Sequence, residues 1–429
     1  MVYQKNKIRA MEKLKTVSGK NVETIKARPY ANHHQFLIVG GGTAGITIAA
    51  QLQKKLSKPD VAIIEPSDVH YYQPMWTFNG AGVFHKEKSK KLMKDVMPYD
   101  VAWIKDYVVA FHPDQNIVET DCGKFFSYEY LIVAPGIQVD WDAIPGLAEN
   151  IGTNGICSIY SYNQVDYVHE CINNMKKGRA LFTQPATKFK CGGAPQKIMY
   201  LSSDTWKRNN ILDDIDVKFT SAGSVIFGVE EIKDALGPVI ERYGIDVKLL
   251  HNLKEIKADE KIAVYDILKD GKPVDEVELE FDMIHVTPPM SSPDFIKNSP
   301  LADAEGWVDV DKSSLQHNKY PNIFSLGDAG STPNAKTGAA VRKQAPVVAG
   351  NLISLLQKGK INDKLSYDGY GSCPLITGYN KLILAEFDYD NNMTPSFPIN
   401  QAKERRSMYH MKRDLLPLMY WHGMLKGRA

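Results

Sequence analysis

Two cysteines that stand far apart in the sequence are the residues best suited to redox chemistry. Cys191 lies in KCGGAPQKIMY (190–200), directly before a predicted helix, and Cys373 lies in SCPLITGY (372–379). A helix N-terminus and the nearby Lys197 would stabilise a thiolate at Cys191, which would then serve as a nucleophile or a leaving group. Taken singly, either cysteine is more typical of an inert thiol packed in a core.

A glycine-rich turn near the start of the chain predicts a dinucleotide site. FLIVGGGTAGITIAAQLQKK (36–55) places Gly40, Gly42 and Gly45 in a G-x-G-x-x-G pattern between an apolar strand and a helix. These glycines permit a tight turn, close approach of a pyrophosphate, and packing of the helix on the strand. Glu65 ends the next strand about 20 residues later, where its carboxylate suits a ribose hydroxyl and would repel a 2′-phosphate.

Two later segments predict which dinucleotide is bound. YEYLIVAPG (128–136) is a strand that runs into a turn at Gly136, and NIFSLGDAG (322–330) is a strand that ends at Gly327-Asp328. Together with the first glycine turn, they resemble the flavoproteins with two dinucleotide domains that are related to glutathione reductase. The resemblance implies an α/β fold with two Rossmann-like domains, FAD at the first site, and a contact between Asp328 and the ribityl chain.

The second Rossmann-like unit has no glycine fingerprint. RALFTQP (179–185) is the strand that should precede it, but the next turn contains Cys191 and Pro195. Proline has no N–H to offer a phosphate, although it suits the first turn of a helix. The sequence therefore predicts that this unit is degenerate for NAD(P)H and that the electron donor is not a nicotinamide.

Longer segments identify a narrower family. The chain resembles eukaryotic mitochondrial sulfide:quinone oxidoreductases from about residue 35 to its end, in KCGGAPQKIMYLS, HVTPPMSSPDF, GWVDVDKSSLQH, KTGAAV, SCPLITGYNKLILAEFDY and KERRSMYHMKRDLLPLMYW. The resemblance implies that Cys191 and Cys373 form the sulfur-handling pair beside FAD, joined at rest by a disulfide or a trisulfide. Hydrogen sulfide attacks the pair, Cys373 keeps the persulfide, and Cys191 leaves as a thiolate. A small acceptor (glutathione, sulfite or cyanide) takes the sulfur, and ubiquinone takes the electrons.

The same resemblance assigns further residues. Lys336 and Thr337 would lie at the flavin, unless Lys336 is a solvated surface lysine. FAD is expected to be bound non-covalently, although some bacterial relatives attach it through a cysteine in the neighbourhood of Cys157. The other two cysteines, Cys122 in a turn and Cys171 on a helix, are expected to be structural. The aromatic residues considered for the quinone site are Tyr379, Phe387 and Tyr420.

The composition and the chain order predict the remaining organisation. The formal net charge of +2 does not point to nucleic acid, and five cysteines in 429 residues do not suggest a disulfide scaffold or a metal site. The basic residues 1–34 predict a mitochondrial targeting segment or a disordered tail. The other expected units are the first part of the FAD domain (35–155), the second Rossmann-like domain (156–289), the second part of the FAD domain (290–360) and a C-terminal quinone and membrane segment (361–429).

The C-terminal segment and the activity each leave alternatives. No apolar run in residues 408–429 (MYHMKRDLLPLMYWHGMLKGRA) is long enough to span a bilayer. The segment is therefore either an interfacial anchor, with Tyr420 and Trp421 at the lipid boundary, or a core helix.

The expected location is the surface of the mitochondrial inner membrane, and the sequence leaves open whether the protein is a homodimer. The alternative functions are a type II NADH:quinone oxidoreductase, a flavocytochrome-type sulfide dehydrogenase and a flavoprotein without turnover.

Overall fold

The first nucleotide unit surrounds a mainly parallel sheet. The structure is a computed structural model that describes residues 32–428, so almost all of the predicted leader (1–34) lies outside the described residues. The strands up to residue 155 are β1 (His33–Val39), β2 (Val61–Ile64), β3 (Val69–Tyr71), β4 (Lys90–Leu92), β5 (Val101–Ile104), β6 (Val108–His112), β7 (Ile117–Thr120), β8 (Phe125–Val133) and β9 (Gln138–Val139). The helices of the same part are α1 (Thr43–Lys55), α2 (Trp76–Gly80), α3 (Met93–Val96) and α4 (Leu147–Asn150).

The apolar strands predicted at the first glycine turn lie in the middle of this sheet. Its order is β5-β2-β1-β8-β7-β6, with β1 parallel to both β2 and β8. Phe36, Leu37 and Ile38 of β1 are fully buried, as expected of a parallel strand covered on both faces. The carboxyl ends of β1, β2 and β8 therefore meet at one edge of the sheet.

The second unit contains a parallel sheet of its own. Its strands are β10 (Ile156–Cys157), β11 (Gly178–Gln184), β12 (Ile215–Ser221), β13 (Asp246–Leu249), β14 (His251–Lys257), β15 (Ile262–Lys269), β16 (Lys272–Glu280) and β17 (Met283–His285). Its helices are α5 (Val165–Asn174), α6 (Ala194–Arg208) and α7 (Glu230–Tyr243). The parallel order is β10-β17-β11-β12-β13, while β14, β15 and β16 form an antiparallel sheet. The prediction of two Rossmann-like units is confirmed.

The chain then returns to the first unit. The elements of this part are β18 (Met290–Ser291), α8 (Asp294–Lys297), β19 (Ile323–Ser325) and α9 (Gly338–Lys358). Because β19 pairs in parallel with β8, the strand before Asp328 ends beside the strand before Gly136. The three segments predicted to form the flavin site are thus brought to the same edge of one sheet.

The C-terminal residues divide between the two units. They form the hairpin of β20 (Gly371–Gly378) and β21 (Lys381–Phe387), then α10 (Arg406–His410), a π-helical turn (Met411–Leu415) and α11 (Leu416–His422). The hairpin packs in the core of the second unit, whereas Tyr420 and Trp421 pack in the core of the first. Within residues 32–428, no helix is both long and apolar enough to cross a bilayer.

The placement of Tyr420 and Trp421 corrects one expectation. Both side chains are buried, with exposed fractions of 4% and 7%, so the interpretation that they lie at a lipid boundary is wrong. The Tyr420 hydroxyl lies 2.6 Å from Nε2 of His70 and 2.8 Å from Oγ1 of Thr43. These polar contacts and the apolar packing hold α11 on the first unit, as the alternative of a core helix predicts.

Candidate active site

The first glycine turn has the shape of a dinucleotide cradle. Gly40 has a positive φ of 101°, and a Cβ there would lie 2.5 Å from the Ala134 carbonyl oxygen. At Gly45, a Cβ would lie 1.9 Å from the Gly40 carbonyl oxygen, so only glycine lets α1 approach the turn. Gly42 faces open space at the start of α1, where helix N–H groups lack partners within the helix. This cradle fits a pyrophosphate.

Glu65 lies beside the same turn. Its two carboxylate oxygens accept hydrogen bonds from Gly41 N at 2.7 Å and Ser67 N at 2.8 Å. Burial raises the pKa of Glu65, while these two N–H groups act in the opposite direction. The side chain is therefore fixed at the end of β2, where a ribose would lie if the pyrophosphate occupied the cradle.

The segment around Asp328 closes the cradle from the other side. A Cβ at Gly327 would lie 3.2 Å from the Ala44 side chain in the first turn of α1. The Gln344 side chain accepts a hydrogen bond from Gly327 N at 2.8 Å, which ties this segment to α9. Gly136 has a positive φ of 85° at the turn after β8. The residues at this edge therefore fit an extended dinucleotide such as FAD.

Lys336 connects this cradle to the sulfur residues. Its ammonium group donates to the carbonyl oxygens of Asp328 and Gly330 and lies 4.0 Å from the centre of the Trp307 ring. Its exposed fraction is 6%, and burial lowers its pKa to about 8, so it is not a solvated surface lysine. The next residue, Thr337, caps α9 by accepting a hydrogen bond from Ala340 N.

The turn before α6 presents Cys191 next to Lys336. Cys191 N donates to the Lys336 carbonyl oxygen at 3.1 Å, and the Cys191 carbonyl oxygen accepts from Ala194 N at 2.7 Å. Cys191 has a positive φ of 53°, a conformation that is uncommon for a residue with a side chain and often occurs at functional sites. The backbone is thus held in a turn that exposes the Cys191 thiol between the two units.

Cys373 on β20 completes the pair. The Cys191 and Cys373 sulfur atoms are 3.5 Å apart, a distance of contact rather than of a disulfide bond. A Cβ at Gly193 would lie 2.5 Å from the Cys373 sulfur and 2.4 Å from the Leu375 side chain. Gly193 is therefore the residue that lets the hairpin bring Cys373 to the start of α6.

Two buried lysines surround the sulfur atoms. Lys197 Nζ donates to the Cys191 sulfur at 2.9 Å from one turn along α6. Lys412, in the π-helical turn, is also buried, and its ammonium group interacts electrostatically with both sulfur atoms. Burial, together with repulsion from Lys197, lowers the pKa of Lys412 to about 7. Lys412 was missed in the sequence because nothing marks a C-terminal lysine as a neighbour of Cys191.

The environment makes the two thiols unequal. The hydrogen bond from Cys373 and the positive charge of Lys197 hold the pKa of Cys191 well below its ordinary value. The interaction with Cys191, together with burial, raises the pKa of Cys373. Cys191 is consequently the better leaving thiolate, since a leaving thiol of lower pKa departs faster.

Tyr160 also lies beside the two sulfur atoms, and the sequence did not indicate this residue as part of the site. Its hydroxyl donates to the Lys190 carbonyl oxygen at 3.2 Å, directly before Cys191. Burial raises the pKa of Tyr160, and the charges of Cys191 and Cys373 act in the same direction. Tyr160 is therefore a neutral phenol close to both sulfur atoms.

The aromatic residues considered for a quinone do not converge. Tyr379 lies at the turn of the β20–β21 hairpin, and its hydroxyl lies 3.1 Å from Thr205 Oγ1 and donates to the Ala81 carbonyl oxygen. Phe387 lies at the opposite end of the hairpin, because it pairs with Gly371. Tyr420 belongs to the core of the first unit. The structure therefore does not bring these three side chains into one pocket.

The remaining cysteines lie outside the Cys191–Cys373 pair. Cys122 is exposed in a turn, and Cys171 lies on α5, as predicted. Cys157 is fully buried in β10, and its thiol is hydrogen-bonded to Cys171. His285 is packed in β17, and its Nε2 accepts a hydrogen bond from Ile159 N at 3.0 Å.

Known proteins resemble this chain at the level of family, sequence and fold. A family model for pyridine nucleotide-disulphide oxidoreductases matches residues 34–166. The mitochondrial sulfide:quinone oxidoreductase of Mus musculus is 45% identical over 396 residues, which cover 92% of this chain and 87% of the mouse protein. The solved structure of the sulfide:quinone oxidoreductase from Aquifex aeolicus matches with a TM-score of 0.78 at 19% identity and covers 93% of both chains, which shows the shared fold.

The alternative quinone reductase is a more distant relative. The type II NADH:quinone oxidoreductase of Staphylococcus haemolyticus is 25% identical over 216 residues, which cover 49% of this chain and 46% of that protein. That similarity extends over only half of each chain, whereas the similarity to the mouse protein extends over most of both.

Proposed function

This chain belongs to the sulfide:quinone oxidoreductase family, and on that premise we propose that it oxidises hydrogen sulfide through Cys191 and Cys373 and delivers the electrons to ubiquinone. The observation that carries the proposal is the 3.5 Å contact between the two sulfur atoms, with the Lys197 ammonium group 2.9 Å from the Cys191 sulfur. A pair of thiols in this environment is suited to thiol–disulfide exchange.

The unequal thiols determine the direction of attack. In the oxidised pair, hydrosulfide attacks the Cys373 sulfur, a new S–S bond forms, and the bond to Cys191 breaks. Cys373 then carries the persulfide, and Cys191 departs as a thiolate stabilised by the Lys197 ammonium group. A small nucleophile such as sulfite, glutathione or cyanide takes the outer sulfur and leaves Cys373 as a thiolate.

The return of the pair to the oxidised state defines the role of the cofactor. Re-forming the S–S bond between Cys191 and Cys373 releases two electrons, and bound FAD supplies the two-electron redox chemistry that the side chains lack. The residues that would hold it are Gly40, Gly42, Gly45, Glu65, Gly136, Asp328, Lys336 and Thr337. Lys336 places its positive charge beside Asp328 and next to the Cys191 turn.

We infer that the flavin is bound non-covalently. Cys157, the thiol considered for attachment, is buried in β10 and directed at Cys171. Precipitation of the protein with acid should therefore leave the yellow flavin in the supernatant. Flavin that stays in the protein pellet would contradict this part of the proposal.

The catalytic proposal is tested by anaerobic reduction of a short-chain ubiquinone by the purified holoenzyme. Sulfide with sulfite as the sulfur acceptor should support reduction, and Cys191→Ser and Cys373→Ser should each lower the rate by about two orders of magnitude or more, as is typical when a nucleophile is removed. The matched control is Cys122→Ser, because Cys122 is exposed and outside the site. Unchanged rates in both active-site variants would exclude the proposed sulfur chemistry.

We propose peripheral attachment to the mitochondrial inner membrane through the surface of the C-terminal segment. Leu415 and Leu418 are 57% and 58% exposed, and Lys91 lies 4.7 Å from the ring of Trp421 in the same C-terminal segment. Exposed leucines on a segment that contacts a basic side chain suit an interfacial contact with anionic lipid. Leu415→Asp and Leu418→Asp should weaken sedimentation with cardiolipin-containing vesicles, whereas Val274→Asp, at a position that is 60% exposed on β16, should not. Equal sedimentation of all three variants would reject this surface.

For the quinone, we retain Tyr379 and Phe387 as alternative candidates at opposite ends of the hairpin that carries Cys373. The test is the KM for quinone in Tyr379→Phe and Phe387→Ala. An increase in this KM without a change in the KM for sulfide would support the assignment. Tyr420 is a weaker candidate, because it is packed in the core of the first unit and does not lie on the hairpin that carries Cys373.

A further inference from the structure

A second pair of thiols lies in the second nucleotide unit and has no part in the reaction described above. Cys157 in β10 donates a hydrogen bond to the sulfur of Cys171 in α5. Cys157 is fully buried, whereas Cys171 is partly exposed. One sulfur of the interacting pair is therefore accessible, and the other is shielded.

The surroundings of Cys171 favour a reactive thiol. The Tyr167 hydroxyl donates to the Cys171 sulfur and itself accepts a hydrogen bond from Gly155 N at 3.0 Å. The hydrogen bond from Cys157, with that from Tyr167, holds the pKa of Cys171 below its ordinary value. Two donors directed at one sulfur stabilise its thiolate, the form that attacks other sulfur atoms.

Cys171 also opens to a cavity. A surface cavity of about 300 Å³ is lined by Cys171, Tyr167, Met175, Lys176 and other residues of the same region. This volume admits a small thiol or persulfide, and its wall carries two lysines and two carboxylates (Lys176, Lys177, Glu170 and Asp282), so it suits a reactant that bears both charges. An accessible thiolate beside a second thiol is the arrangement found in cysteines that undergo reversible oxidation.

We propose that Cys171 is a site of persulfide modification and that Cys157 is its resolving thiol. The proposal depends on the proposed function in one respect: sulfide oxidation by the enzyme would supply the reactant, a low-molecular-weight persulfide. The Cys171 thiolate attacks the outer sulfur of the persulfide, an S–S bond to Cys171 forms, and the thiol portion of the reactant leaves with a proton. Cys157 then attacks the Cys171 sulfur, a disulfide forms, and hydrosulfide leaves.

This sequence of steps is balanced without another oxidant. Cys157 and Cys171 together lose two electrons, and the outer sulfur of the persulfide gains them as it becomes sulfide. The two thiol protons are carried away by the released thiol and the released hydrosulfide. The disulfide would connect β10 to α5, three residues before Tyr160 at the active site.

The test uses full-length holoenzyme with Cys191→Ser and Cys373→Ser, so that the active-site pair can neither react nor turn over. The reduced protein is treated with glutathione persulfide, remaining thiols are alkylated, and peptides are identified by mass spectrometry. A Cys157–Cys171 disulfide should form together with an equal amount of released sulfide. In the additional variant Cys157→Ala, a persulfide should instead remain on Cys171.

The matched control within the chain is Cys122. It is more exposed than Cys171, but a hydrogen bond with Asp106 raises its pKa. Modification of Cys122 at the same rate as Cys171, or absence of the Cys157–Cys171 disulfide, would overturn the proposal. Because the persulfide is supplied from outside, this result is independent of the quinone assay. Cys171→Ser in the otherwise native chain should retain sulfide-dependent quinone reduction.

Discussion

At the scale of single residues, Gly193 controls whether the sulfur atoms of Cys191 and Cys373 can meet. A Cβ at this position would lie 2.5 Å from the Cys373 sulfur, well inside van der Waals contact. We expect Gly193→Ala to displace β20 and to lower sulfide-dependent quinone reduction by about two orders of magnitude, since a misplacement of about 1 Å at reacting atoms has effects of that size. Bound flavin should be retained, because the dinucleotide cradle lies in the other unit.

The preceding residue provides the control for this substitution. A Cβ at Gly192 meets nothing within 4 Å, so Gly192→Ala should change the same rate by less than about twofold. Both variants are measured with saturating sulfide and quinone and with the flavin content matched. Equal losses in the two variants would mean that flexibility of the turn matters, rather than contact with Cys373.

Lys412 should influence reactivity and stability in opposite directions. Its pKa of about 7 in the folded protein lies below its ordinary value of 10.5, so between these pH values the unfolded chain binds more protons. Folding stability due to this group therefore rises with pH across that interval, and at pH 7 the buried ammonium group is destabilising. We expect Lys412→Met to raise the Tm at pH 7 by about 3 °C or more, with a smaller gain near pH 10.

The same substitution should make Cys191 less reactive. Removing a nearby positive charge raises the thiol pKa, and each unit lowers the thiolate fraction about tenfold below that pKa. Alkylation of the reduced enzyme at pH 6, followed for the Cys191 peptide, measures this effect. Lys412→Arg should restore the alkylation rate but not the gain in Tm. Alkylation that is unchanged in Lys412→Met would show that Lys197 alone stabilises the thiolate.

At the scale of secondary-structure elements, the sequence predicted local patterns better than their long-range contacts. The strand, glycine turn and helix at 36–55 follow from apolar runs and glycine spacing, and the structure places them as expected. The contact between Lys412 and the sulfur site depends on where a π-helical turn packs, which no local pattern encodes. Likewise, amphipathic character did not show that Tyr420 and Trp421 face a protein core rather than lipid.

The packing of α11 leads to a prediction about the first unit. His70 connects Tyr420 to the glycine turn, because its Nδ1 lies 3.1 Å from the Gly41 carbonyl oxygen and its Nε2 lies 2.6 Å from the Tyr420 hydroxyl. Tyr420→Phe removes this donor and leaves a buried ring nitrogen without a partner. We expect the free energy of unfolding to fall by about 1–3 kcal/mol and the Kd for flavin to rise.

Thermal unfolding and flavin release test this coupling, with Tyr200→Phe as the control for loss of a buried, hydrogen-bonded tyrosine hydroxyl outside the first unit. The Tyr200 hydroxyl donates to Gln196 Oε1 at 3.3 Å in the core of the second unit. A lower Tm in Tyr420→Phe without weaker flavin binding would mean that α11 stabilises the fold but does not support the cradle. Truncation of the C-terminal residues is a poorer experiment, because it would remove core side chains together with the proposed membrane surface.

At the scale of the whole molecule, the C-terminal hairpin of β20 and β21 occupies the position where the second unit would bind a nucleotide. Leu375 and Cys373 of β20 lie against Gly193 at the start of α6, where a second unit of this fold would bind a pyrophosphate. The positive φ at Cys191 and Pro195 in the first turn of α6 further alter that position. The nucleotide site has therefore lost its glycine pattern, and it is also covered by the strand that carries Cys373.

This arrangement predicts how the enzyme discriminates between electron donors. NADH should reduce the bound flavin no faster than buffer alone, and NAD⁺ should not compete with sulfide, because the hairpin and the dinucleotide would need the same volume beside α6. Anaerobic spectra of the flavin during stopped-flow mixing with NADH or sulfide measure the first effect, and steady-state inhibition measures the second. Gly193→Ala serves as a useful comparison, because displacing β20 removes the sulfide reaction without restoring the missing glycines. Rapid reduction of the wild-type flavin by NADH would mean that the hairpin moves away from α6. The Cys191–Cys373 contact would then belong to only one of two functional conformations of the enzyme.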